Sequence, residues 1–155
     1  GPLSVHISSE EPYCPEMREV GWRVAEDLNI PFHPRGTVVV IQGPRFSTRA
    51  ESKWFLQNGW TVINMTQYPE VVLSREVGIC YLNVSLVTDW DVGLAEEPGV
   101  RTVTAEEVAR VFNQNNQRLK ELLFELIPAL PPERSCSCAQ ALQDAIISPM
   151  ELMED

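Results

Sequence analysis

Basic residues are scarce: 12 Lys and Arg stand against 22 Asp and Glu, a formal net charge of −10 over 155 residues. A nucleic-acid backbone calls for the reverse, a Lys/Arg-rich face that releases counterions, and an anionic membrane surface is disfavoured by the same sign. No apolar run approaches the roughly 20 residues that span a bilayer, and the start lacks the basic, apolar and small-residue succession of a secretory signal. A cytoplasmic protein is expected. The four cysteines (Cys14, Cys80, Cys136, Cys138) are too few and too unevenly spaced to frame a small secreted domain. Cys80, in an apolar run, is expected in the core. The tight pair Cys136-Ser137-Cys138 could close a small disulfide ring or take a soft metal. No second Cys/His pair is visible to complete a tetrahedral zinc set, so no metal is expected. Internal repeats and low-complexity tracts are absent.

What is present is 44% apolar residues, enough for one buried core. The opening Gly1-Pro2-Leu3-Ser4 reads as the scar of a removed expression tag. Residues 5–130 read as one domain, and 131–155 as a linker, a short helix and a tail. Met17, Val20, Val24, Ala25 and Leu28 recur at helical spacing over Glu16 to Leu28, and Pro31 stops the pattern. The period then changes. Thr37 to Ile41 is a β-branched run, read as a fully buried strand, that ends in Gln42-Gly43-Pro44. Thr48 with Glu51 forms a capping box, so a helix should run to about Asn58 with Gly59 as its left-handed stop. A second strand covers Thr61–Asn64, and a further helix should begin at Pro69 and close at Gly78.

Ile79 to Val87 is nearly all apolar and is the best candidate for a central strand, ending in Thr88-Asp89. Trp90 to Thr102 is an acidic loop without periodicity. A long helix starts at Thr104 with a second capping box through Glu107. Val108, Val111, Phe112, Leu119, Leu122, Leu123, Leu126 and Ile127 form its stripe, and Pro128 should end it. Pro131 to Ser135 is a linker before a short helix from Cys138 to Ile147 and a frayed tail.

Strands alternating with helices describe an α/β domain whose largely parallel sheet is flanked by helices. Ligands of such sheets bind beyond the carboxyl ends of the strands. That rule selects Gly43-Pro44-Arg45-Phe46, Asn64-Met65-Thr66 and Thr88-Asp89-Trp90-Asp91. An aromatic face, hydroxyl and amide groups and two carboxylates suit a nucleoside better than a metal or a peptide.

Together, the stretch from Gln42 to Glu51, Asn64-Met65-Thr66, Pro69 to Leu73 and Thr88-Asp89-Trp90-Asp91 resemble the trimeric purine-nucleoside phosphorylases, and within them the branch that acts on 5'-methylthioadenosine. The likeness runs from about His6 to Leu126, with the motifs in family order. It implies a mixed, largely parallel sheet flanked by helices, incomplete because the family's N-terminal half is missing. It also implies phosphorolysis of methylthioadenosine to adenine and 5-methylthioribose 1-phosphate by a homotrimer, with phosphate as cosubstrate and no metal or organic cofactor. Such a reaction splits the N-glycosidic bond through an oxocarbenium-like transition state. The purine leaves more readily when N7 is protonated by an acid whose pKa is raised in an apolar pocket.

The resemblance gives that role to Asp89. It sets Asp91 near the purine 6-position, where a carboxylate accepts from an exocyclic amine. Phe46 would lie on the base, Met65 at the ribose, Thr66 at phosphate, and His6 near the 5'-substituent, often of a neighbouring subunit; Asn64 would be a further substrate-binding residue. The plain alternatives are a core Phe, a core-filling Met, a helix-capping Thr and a structural His. Arg45 reads as structural, and Glu51 and Glu70 as helix-start acids favoured by the macrodipole. Members preferring 6-oxopurines tend to carry Glu and Asn where this chain has Ser47 and Asp89, which favours a 6-aminopurine. The family's Gly-containing phosphate loop and Arg-His pair have no counterpart here. The alternatives are a 6-oxopurine or broad-specificity phosphorylase and an inactive purine-binding or assembly module.

Overall fold

The computed structural model describes residues 5–91, 94, 104–143 and 145. The tag-remnant reading of residues 1–4, most of the acidic loop and the tail beyond Ala145 lie outside the described residues. Helix α1 spans Pro15–Asp27, with Cys14 as N-cap and Pro15 at the first helical position, where a missing N–H costs nothing. It stops before Pro31, as the chain turns through Asn29 at φ 53°. Strand β1 is Val38–Val40 and β2 is Val62–Asn64. They pair in parallel, with Val38 opposite Val62 and Val40 opposite Asn64. The ladder continues one bond further, from the Ile41 N–H to the Asn64 carbonyl at 3.0 Å.

Helix α2, Arg49–Gln57, makes the crossover between the strands. Both halves of its Thr48/Glu51 capping box are formed, and Gly59 follows at φ +70°. Helix α3, Gln67–Glu76, contains a non-helical Tyr68, so its regular part begins at Pro69; Gly78 ends it at φ +66°. Helix α4 runs Ala105–Ala129 behind a complete Thr104/Glu107 capping box. A 3-10 turn, Ser137–Gln140, closes the described chain.

The core lies between α1 and α4. Val20, Val24 and Ala25 pack on Leu122 and Leu126, with Ile30, Phe32, Leu82 and Leu130 around them. These residues belong to the stripes that the helical spacing of both segments predicted, but of the α4 stripe only Leu122 and Leu126 enter this core. Phe112, Leu123 and Ile127 remain exposed on α4.

Four sequence expectations need correction, and the linker makes contacts that its sequence did not announce. Ile79–Val87 is extended yet belongs to no ladder among the described residues. Its flanks are helices rather than strands: Leu82 packs on the α1–α4 core, Asn115 of α4 donates to the Val87 carbonyl at 2.9 Å, and the Cys14 N–H donates to the Tyr81 carbonyl. Strand β1 is half-buried rather than fully buried, because one flanking layer of the sheet is missing among the described residues. Pro128 sits inside the last turn of α4 rather than ending the helix before it. The linker is tied down: Arg134 donates to the Gly78 carbonyl at 2.7 Å, and Ser135 donates to Glu16. The expected helix from Cys138 is, in its described part, only the 3-10 turn and the turns after it.

Two stability outcomes follow. Leu126→Ala, opening a cavity beside Val20 and Val24, should lower unfolding free energy by about 2–5 kcal/mol, whereas Thr48→Ala should cost about 1 kcal/mol by uncapping α2. Urea denaturation measures both, and the order of the two losses would be reversed if the α1–α4 seam were not the core.

Candidate functional site

The loops at the carboxyl ends of β1 and β2 meet. A Cβ placed on Gly43 would come within 3.1 Å of Met65 Sδ, so the turn after β1 and the residue after β2 are in contact. A side chain at position 43 would press on Met65 and ask its flexible thioether to shift by a few tenths of an ångström. The Asn64 carboxamide oxygen faces the Thr66 and Gln67 amides at 3.4 and 3.5 Å and opens the turn into α3. Thr66 is the N-cap of α3, yet its hydroxyl makes no capping bond, so the plain alternative of a capping threonine does not account for it.

The third segment joins the first through Asp91. Ser47, in the turn after β1, donates to Asp91 Oδ1 at 2.5 Å, and Ser52, on α2, donates to Oδ2. Both serines are buried, Ser52 almost completely. A half-buried carboxylate with a hydroxyl on each oxygen is held in one orientation. The Leu94 N–H donates to the Asp91 carbonyl as the chain leaves the site.

The other candidates stand apart from this clamp. Asp89 is exposed, with the adjacent Thr88 hydroxyl 2.5 Å from Oδ1, and no apolar pocket surrounds it among the described residues. Phe46 is 78% exposed and Met65 37%. His6 is exposed, and its backbone N–H is fixed to the Ala145 carbonyl at 2.8 Å. Open grooves of about 520 and 410 Å³ lie elsewhere, one between α1 and the 129–136 segment, the other beside α3 and the N-terminal strap.

Arg45 grips Glu51 with two bonds of 2.8 Å, which agrees with its structural reading. Arg45 is the first cause that brings the Glu51 carboxyl down to about 2, and the Thr48 amide adds to it. Glu70 does more than start a helix, since it accepts from the Tyr81 hydroxyl at 2.8 Å.

Two participants escaped the sequence reading. Gln67 is 1% exposed. Its oxygen accepts from the Tyr13 hydroxyl, while its Nε2 is buried with no hydrogen-bond partner among the described residues. Ser52 gave no signal beyond being a small polar residue on the buried face of α2. The expectation about cysteines also needs correction. Cys14 and Cys80 lie beside Cys136 and Cys138, and all four sulfurs fall within 4.8 Å of one another. The fold closes this set across sequence separations that no spacing motif reveals.

Residues 3–128 match the family model described as the phosphorylase superfamily. The chain belongs to the phosphorylase superfamily. Among its relatives is the S-methyl-5'-thioadenosine phosphorylase of Thermofilum pendens, 51% identical over 147 residues, which cover 95% of this chain and 54% of that protein. The corresponding enzyme of Pyrococcus horikoshii is 49% identical over the same length. A crystal structure of a methylthioadenosine phosphorylase from an antarctic soil metagenomic library superposes with a TM-score of 0.83 at 31% identity, covering 96% of this chain and 52% of that one. The methylthioadenosine phosphorylase of Schistosoma mansoni in complex with adenine gives 0.77 at 30%, covering 92% and 55%. This phosphorylase-superfamily chain thus spans about half the length of the relatives it matches. Its α/β fold is that family's fold, incomplete. No helix of the described residues is long and apolar enough to cross a membrane.

The Tyr81 phenol carries a testable consequence of this packing. Burial first, and then its bond to Glu70, push it up from 10.0 to about 12. The neutral phenol is thus favoured in the folded state, and its contribution is fully present below pH 10 and lost as pH rises toward 12. Thermal melts across that window should fall more steeply for the parent chain than for Tyr81→Phe, with tyrosinate absorbance reporting the late ionisation. Identical slopes would sever the link between this phenol and the fold.

Proposed function

We propose that this chain is the purine- and ribose-binding part of an enzyme that splits 5'-methylthioadenosine with phosphate into adenine and 5-methylthioribose 1-phosphate. The observation that carries the reading is the convergence of the turns after β1 and β2 with the end of the extended 79–88 segment: Gly43 against Met65, and Asp91 clamped by Ser47 and Ser52. These are the segments whose residues resemble the family's base and sugar contacts. The names of the most similar relatives support the substrate.

In this reading Asp91 accepts from the exocyclic 6-amine, its orientation preset by two hydroxyls. Asp89 donates to N7 as the glycosidic bond breaks, and Phe46 covers the base. Asn64 and Met65 support the ribose, Thr66 offers its hydroxyl to phosphate, and His6 approaches the 5'-substituent, from this subunit or a neighbour in a homotrimer. A general acid of this kind contributes about 10²- to 10⁴-fold and needs a dry surrounding to hold its proton at neutral pH. Asp89 is exposed here, and large apolar side chains such as Phe46, Trp90 and Phe124 are uncovered. The half of the relatives' length that this chain does not span is assigned both the cover over these faces and the phosphate grip. Cytoplasmic salvage of methylthioadenosine is the accompanying role, and no metal or organic cofactor takes part in the chemistry.

Two experiments bear on this. The 155-residue chain given methylthioadenosine and phosphate should release no adenine, and turnover in the ordinary enzymatic range of about 1–10³ s⁻¹ would refute the division of labour. In an enzyme completed with the remaining half, Asp89→Asn should lower kcat/KM for methylthioadenosine by about 10²- to 10⁴-fold and shift preference toward 6-oxopurine nucleosides. An unchanged ratio of adenine to hypoxanthine release would remove Asp89 from base recognition.

A further inference from the structure

Four thiols gather on the side of α1 where the 3-10 turn docks, a cluster to which the proposed chemistry gives no task. Cys14 is the N-cap of α1, Cys80 opens the extended 79–88 segment, and Cys136 and Cys138 flank the first residue of the 3-10 turn. All four are free, and Cys14 and Cys138 are buried, at 1% and 7% exposure. Every pair of sulfurs lies within 4.8 Å, and Cys80 and Cys136 approach to 3.4 Å. Tetrahedral zinc with bonds of about 2.3 Å separates its sulfur ligands by about 3.8 Å, so no edge need shorten by more than about 1 Å.

The surroundings suit bound thiolates. Arg134 sets Nη1 4.0 Å from Cys80 Sγ while holding the Gly78 carbonyl. Four thiolates on a divalent ion leave a net charge of −2, and the guanidinium offsets part of it. Cys80 and Cys136 are only half-buried, which leaves an entry path.

We propose that Cys14, Cys80, Cys136 and Cys138 form a structural tetrathiolate site for a soft divalent ion, zinc(II) being the fitting one. Binding is ligand exchange without oxidation: four S–H bonds give up their protons to solvent, four Zn–S bonds form, and the waters of the hydrated ion leave. A site with four protein ligands is closed, so the ion ties segments together and presents no open position to a substrate. It joins the start of α1, the segment that leads to Asp89 and Asp91, and the C-terminal turn.

The test is cobalt titration of the intact, fully reduced chain under anaerobic conditions. One equivalent should produce sulfur-to-cobalt charge-transfer bands and the intense d–d bands of a tetrahedral ion, and one equivalent of zinc should abolish them. Cys136→Ser/Cys138→Ser should lose stoichiometric binding, with circular dichroism checking that it remains folded. Should that variant unfold, X-ray absorption of the zinc-loaded parent chain decides alone, with a shell of four sulfurs expected and a nitrogen- or oxygen-rich shell excluding the site. Bands retained by the double variant, or no bands from a chain with four titratable thiols, would overturn the proposal. So would two disulfides in unreduced protein that, once reduced, takes up no metal.

Discussion

Parallel pairing of β1 with β2 is the constraint from which the site follows. Three residues on each strand suffice, because the register that sets Val40 opposite Asn64 makes both chains leave the sheet at the same edge. The crossover through α2 then returns Ser52 under that edge, and the exit from β2 leads directly through Met65 and Thr66 into α3. Had the strands run antiparallel, the two exits would lie at opposite ends, and Gly43 could not touch Met65. A parallel pair needs helices to make its connections, and this chain supplies them with unusually complete local signals: two full capping boxes and two left-handed glycines.

Those local signals are why the elements were legible. A capping box, a glycine stop and a proline at the first helical position act within a few residues, and each appears in the structure near where its letters stand. The strand-like run Ile79–Val87 failed for the opposite reason. Its apolar, β-branched composition states only that it wants burial on both sides; whether that burial comes with a ladder depends on neighbours far away in sequence. Here the neighbours are α1 and α4, and the segment stays extended while forming no ladder among the described residues. The cysteines teach the same lesson. Cys136 and Cys138 announce themselves by proximity, but their companions at 14 and 80 are joined to them only by the docking of the 3-10 turn against α1.

The uneven burial of apolar side chains is also informative. Leu122 and Leu126 are buried in the α1–α4 seam, yet Phe124 and Ile127 on the same helix are 77% and 65% exposed, as are Val77 and Phe46 at 64% and 78%. Isolated exposed apolar residues are ordinary, whereas many large ones spread over α3, α4 and the strand ends describe faces that lack a partner. The chain spans about half the length of its relatives, and in the proposed function these are the faces left for the remaining length to cover.

Asp89 and Asp91 show how that shortfall divides the site. Asp91 is oriented by Ser47 and Ser52, which come from the β1 turn and from α2, so its geometry is determined by contacts internal to this chain. Among the described residues, Asp89 accepts a hydrogen bond from the hydroxyl of its neighbour Thr88, a local contact that does not desolvate the exposed carboxylate. A hydrogen-bond acceptor needs orientation, and Asp91 has it. A general acid needs desolvation as well, because only a low-dielectric surrounding keeps a carboxyl protonated near neutral pH. Orientation can be encoded within one half of a protein; desolvation requires closing the site from the other side. For the roles proposed, Asp91 already has its orientation from within this chain, whereas Asp89 would need a cover that the described residues do not provide.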